Sequence, residues 1–200
     1  QQWTLSVPES GIPTIEVVFD ALSQDTSTGL VAATYVANYS PMHRDFGSVQ
    51  LGGTLTVPTT SALASLAAPT VSTARVRSWS FQVSYNIDRE RDNVGARSQP
   101  LVTSPEAQIE IDAEHIDNVF RDAFLAGTAI PFLATIDSGV SLSTGTALIQ
   151  VAVPQAFTDD GGLGQPTNGD VPKTGHTLKV THDGTNPPWY LVRRTSESSL

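Results

Sequence analysis

Cysteine is absent from the 200-residue chain, which excludes disulfide staples, thiolate zinc sites and thiol nucleophiles. Lysine is nearly absent too: of 11 basic residues only Lys173 and Lys179 are lysines. Asp and Glu number 20 against 11 Lys and Arg, for a formal net charge of −9. A surface so short of cations does not grip nucleic acid, because phosphate binding depends on basic groups that displace counterions. The same shortage suits a wall that encloses nucleic acid and must let it slide. No run approaches the ~20 apolar residues of a membrane span, and Gln1 to Ser10 lacks the basic-then-apolar order of a signal peptide.

What is present reads mostly in steps of two. In "WSFQVSYNID", Trp79, Phe81, Val83, Tyr85 and Ile87 share one face, while Ser80, Gln82, Ser84, Asn86 and Asp88 share the other. This is the strongest strand pattern in the chain. "AQIEIDA" sets Ala107, Ile109 and Ile111 against Gln108, Glu110 and Asp112, and "TIEVVFD" sets Ile15, Val17 and Phe19 against Glu16 and Asp20. Val49 and Leu51 lead into Gly52-Gly53, where a turn, bulge or close backbone approach is expected before Leu55 and Val57 resume. "PFLATID" and "ALIQVAV" are two further strands joined through Gly139 and Gly145, and "TLKVTHD" and "WYLVRRT" predict a long terminal hairpin.

One segment breaks this period. Ile116, Val119, Phe120, Ala123 and Phe124 recur at helical spacing, which predicts a helix over 114–126. Asp112 is its expected N-cap and Gly127 its expected stop, with Glu114, Asp117, Arg121 and Asp122 left outside. The class is therefore mainly β with a single helix, and the length suits one domain. Residues 21–47 and 155–176 carry no period and read as long connections, of the kind that serve binding.

No catalytic constellation emerges. There is no G-x-S-x-G, and His43, His115, His176 and His182 stand in four separate segments with no triad beside them. Glu110 and Asp112 lie ~6.5–7 Å apart along a strand, within reach of glycosidase geometry, but an exposed strand face explains them as well. "TDDGGLGQPTNGD" has the Asp and Gly of a calcium loop without its ligand spacing or closing Glu. No enzyme activity, metal or cofactor is expected. Function falls instead to surfaces, for which Trp3 and the loop carrying Tyr39, Met42, His43, Arg44 and Phe46 are interface candidates, a loop packed onto its own domain being the equal alternative. Arg89 and Arg91 in "DRERD" are candidates for pairing with acids across a subunit seam.

The stretch from Trp79 to Pro154 resembles the tail tube (major tail) proteins of tailed bacterial and archaeal viruses. The likeness rests on "WSFQVSYNIDRER", on "AQIEIDAEHIDNVFRDAFLAG" as a strand feeding one amphipathic helix, and on "PFLATID" and "TALIQVAVP". The resemblance implies a β-sandwich or partial barrel with one flanking helix, in a virion structural protein assembled in the host cytoplasm, whose homohexameric rings stack into a conduit for genome delivery. It implies a lumen faced by Gln82, Ser84, Asn86, Asp88, Gln108, Glu110 and Asp112. It further implies a 1–13 N-terminal arm, a 21–47 inter-ring loop and a 155–200 C-terminal loop and hairpin or arm. The implied partners are further copies of the chain, a tape-measure protein and DNA in the lumen, and a tail terminator, baseplate or sheath, with no membrane. The alternative is a surface-displayed β-sandwich, a tail-tip or fimbrial module that binds carbohydrate or a cell-surface receptor through 155–176.

Overall fold

The computed structural model describes residues 2–19, 42, 47–69, 75–88, 101–114, 118–159 and 173–195, without the side chains of 86–88 and 101–104. The chain forms β1 (Gln2–Val7), β2 (Thr14–Val18), β3 (Ser48–Leu51), β4 (Thr54–Thr56), β5 (Ser65–Ala67), β6 (Val76–Asp88) and β7 (Leu101–Glu114). Then follow α1 (Val119–Ala126), β8 (Phe132–Leu142), β9 (Gly145–Val153), β10 (Ala156–Thr158), β11 (Lys173–Val180) and β12 (Tyr190–Arg194). A six-stranded sheet runs β10-β11-β7-β6-β1-β2, and a four-stranded sheet runs β12-β9-β8-β3. The fold is mainly β with one helix, as its periodicity dictates.

Alternation decides what lies between the sheets. Trp79, Phe81 and Val83 stand opposite Ile111, Ile109 and Ala107 on one side and opposite Val7, Leu5 and Trp3 on the other. Phe132, Ala134 and Ile136 of β8, with Val151 and Val153 of β9, meet them from the narrower sheet. Trp79 and Phe132 pack edge-to-face at 5.5 Å. Each large side chain buried this fully is worth roughly 1.5–3 kcal/mol, so this layer carries most of the stability.

The N-terminus is not an arm. β1 is an interior strand, paired with β6 and β2, and Trp3 packs edge-to-face on Phe81 at 5.3 Å and on Trp189 at 5.6 Å. Trp3, Leu5 and Val7 alternate with Gln2, Thr4 and Ser6, a short apolar face that needs the core. Nor do the last two strands form a hairpin. β11 joins the wide sheet beside β7, whereas β12 crosses to the narrow sheet beside β9. The 173–195 segment is therefore built into both layers and is not an appendage.

The helix starts later than its pattern suggests. β7 continues to Glu114 because Ala113 pairs with Val76 and Glu114 with Lys173, so the ladder takes residues that would otherwise open a helix. Asp112 accepts a 2.9 Å hydrogen bond from Ser78 Oγ on the strand face. Asn118 occupies the N-cap without a capping bond, and Gly127 closes the helix with φ 59°. Phe120 enters the core and stacks on His176 at 4.0 Å, while Phe124 and Leu125 stay exposed.

A third layer covers the outside of the narrow sheet. Gly52 and Gly53 turn the chain with φ of 74° and 79°, and a Cβ on Gly53 would stand 2.3 Å from Ala67 O. The glycine pair thus serves both a turn and a close backbone approach. The β4–β5 hairpin beyond it packs Leu55 and Leu66 over Leu133, Ala152 and Tyr190. Gln150 fastens this strap from the sheet below. Its Oε1 accepts from Ala64 N–H at 2.9 Å, and its Nε2 donates to Ala64 O at 3.1 Å and Thr135 Oγ1 at 3.1 Å. The buried amide thereby does what a neighbouring strand would do. Gln150→Leu should lower unfolding stability by about 1–3 kcal/mol, because two backbone groups lose their partner, as measured by denaturant titration. Amide exchange at Ala64 should quicken in the same variant.

Candidate functional site: the polar face of the wide sheet

The face of the six-stranded sheet that points away from the core is built in rows by strand register. Gln82 lies between Thr4 and Gln108, and the row continues outward to Glu16 on β2 and to Lys179 and Phe157 on β11 and β10. Ser80 lies between Ser6 and Glu110, with Thr177 beyond; Ser84 lies between Gln2 and Glu106. Lateral bonds are long or water-exposed: Gln108 Nε2 donates to Gln82 Oε1 at 3.5 Å and to Glu110 Oε1 at 3.4 Å, and Ser80 Oγ donates to Glu110 Oε2 at 3.5 Å. A shallow depression of about 470 Å³ lies among Ser6, Ser78, Ser80, Glu110, Asp112 and Thr177.

Register therefore brings Gln82, Ser84, Gln108, Glu110 and Asp112 together on one water-facing surface. Asn86 and Asp88 belong to β6 by backbone, but their side chains lie outside the described residues. Of the interface candidates, Trp3 packs into its own core and Met42 packs half-buried against the same cluster. Both therefore contact their own domain. Tyr39, His43, Arg44, Phe46, Arg89 and Arg91 lie outside the described residues.

Charge on this face ends in an ion network at one corner. Glu114 is buried, not on the outside of a helix, and pairs with Arg77 in close contact and with Arg75 at 3.7 Å. Glu9 then bridges Arg77 at 3.1 Å and Lys173 at 3.3 Å. The Arg77 guanidinium is held above its ordinary pKa, chiefly by the hydrogen bond to Glu114, with desolvation opposing. The corner ties the exit of β1 to β6, β7 and β11. Sequence spacing could not find it, because its four segments meet only through sheet order.

Reactive chemistry does not converge here. Among the described residues no group of three or more His, Asp or Glu could hold a metal. His176 faces the core against Phe120, and His182 Nδ1 accepts from Gly184 N–H at 2.8 Å within a turn. No described helix is long and apolar enough to cross a membrane. Away from Lys179, Phe157 and the Arg77–Lys173 corner, what the face offers is hydroxyls, amides and carboxylates in rows. Such a surface binds water and repels polyanions.

The other feature that sequence reading passed over is β2. Its alternation predicted a strand, yet all five of its residues are exposed on both faces. Ile15 and Val17 sit beside Leu5 and Trp3 on the core side of the sheet, one strand beyond the cover of the narrow sheet. No protein-family model matches the chain, and no curated protein matches its sequence.

The turn that carries β11 across to β12 is held by Asp183. Its Oδ1 accepts from Thr185 N–H at 2.8 Å and Asn186 N–H at 2.6 Å, and its Oδ2 accepts from Asn186 Nδ2 at 2.8 Å. These bonds, the Asn186 side-chain bond foremost, lower its pKa from 3.8 to about 2. The folded-state value is depressed, so the stabilisation is present above pH 3.8 and is lost as pH falls through about 2. Carboxyl NMR titration should place the Asp183 midpoint near 2, and Asn186→Ala should move it back towards 3.8.

Proposed function

We propose that the chain is a structural subunit of a viral tail tube, and that the polar face of its wide sheet lines the channel. The observation that carries this is a water-facing surface six strands wide, uncharged or acidic along most of its rows and, among the described residues, without a cluster that could hold a metal. A conduit needs no chemistry on its wall. It needs hydration, and it needs weak or repulsive contact with a polyanion, which Gln82, Ser84, Gln108, Glu110 and Asp112 supply. Rings of identical subunits stacked coaxially turn this face into a continuous lining, and DNA or a tape-measure protein passes through it without being held. The likeness of the Trp79–Pro154 stretch to tail tube proteins supports the same reading.

Negative-stain microscopy over a range of protein concentrations tests it. Rings or tubes are expected. The DNA contact is tested separately: the wild type should not retain duplex DNA, whereas Glu110→Lys with Asp112→Lys should assemble and retain it in a salt-sensitive manner. Persistent monomers that bind glycans would reject the tube in favour of a surface-displayed recognition module.

A further inference from the structure

The two margins of the wide sheet differ, and the difference points to how copies meet. At the β10 margin the outer backbone edge is partly used, since Ala156 O accepts from Ile130 N–H at 2.8 Å. α1 packs against β10 there and closes the core with Phe120. On its outer side the helix leaves Phe124 44% and Leu125 73% exposed. At the opposite margin β2 is an edge strand, with Ile15 58%, Val17 57% and Phe19 74% exposed. β2 is only five residues long, but its core-side Ile15 and Val17 with Phe19 beyond form an uncovered apolar patch, which is a place for association.

We infer that the β2 overhang of one copy docks on the outer face of α1 in the next copy, resting on the ring reading above. Two apolar patches at opposite margins of one sheet make a heterologous contact, which closes into a ring when the rotation permits. With Ala156 O engaged and α1 set against the short β10, the helix is what this margin presents, so the contact is side chain on helix. Charge agrees with this direction. Glu16 of β2 and Lys179 of β11 stand in the same register row near the two margins, so head-to-tail placement brings opposite charges towards the seam. Lys179 already meets Asp159 at 3.0 Å, but that pair is exposed and weak enough to share. Joining two β2 edges about a two-fold axis would instead leave both α1 faces bare.

The absence of native cysteine makes the test clean. Full-length chains carrying Val17→Cys, Leu125→Cys or both are oxidised with diamide under assembling conditions and run on non-reducing gels. The mixed single variants should form a disulfide-linked pair, and the double variant should form a ladder that ends at the closed ring. Each single variant alone should stay unlinked. A self-linked dimer from Val17→Cys alone means a two-fold contact and overturns the seam. Rings in the microscope without the ladder overturn the seam while the tube reading stands; neither rings nor ladder sinks both. As a second measurement, Glu16→Lys should raise the assembly concentration about tenfold, and Lys179→Glu in the same chain should restore it. Weakening without restoration counts against the head-to-tail alignment.

Discussion

A sheet of six strands is covered by a sheet of four, and most of the molecule follows from that mismatch. A sandwich buries only the area its narrower layer can cover, so the wider layer must find other cover at its margins. On one side α1 supplies it, with Phe120 stacked on His176 and Ile130 bonded to the β10 edge. On the other side nothing described does, and Ile15 and Val17 remain in water beside the fully packed Leu5. The asymmetry leaves the two margins of the wide sheet chemically different.

The same economy governs polar groups. Two of the buried ones are answered by neighbours, Gln150 by Ala64 and Thr135 and Glu114 by Arg77 and Arg75, whereas the buried hydroxyls of Thr158 and Thr174 have no hydrogen-bond partner. The turn between β8 and β9 is treated likewise. Arg194 Nε donates to Thr146 O at 2.6 Å, so the last described strand clasps the turn of its neighbouring hairpin. The exposed face is the opposite case, where long hydrogen bonds leave most donors and acceptors to water. Rigid interior and wet surface are thus divided along the pleat of single strands, residue by residue.

That division is what the sequence made legible. The alternation around Trp79 and Ile109 gave the strands, their inner face and the polar residues opposite. It could not give which strands are neighbours, because sheet order depends on contacts between distant segments. For that reason "TLKVTHD" and "WYLVRRT" read as a hairpin, although β11 and β12 belong to different layers. Trp3 read as an arm because its alternation is short, and short apolar faces gain meaning only from what they pack on. The exposure of β2 was equally hidden: Ile15 and Val17 look like core residues until the width of the opposite sheet is known.

The contact of Trp3 with Trp189 has a consequence for how the chain is made. The indoles of Trp3 and Trp189, far apart in sequence, meet at 5.6 Å, so β1 waits for a segment made much later. Until β6 emerges, β1 has only β2 for company, and until β12 follows, the indole of Trp3 lacks its cover. Long-range pairings of this kind slow folding and keep apolar strands in view during synthesis. β1 therefore stays without part of its cover until Trp189 has been made, and a copy truncated before Trp189 leaves β1 unsealed.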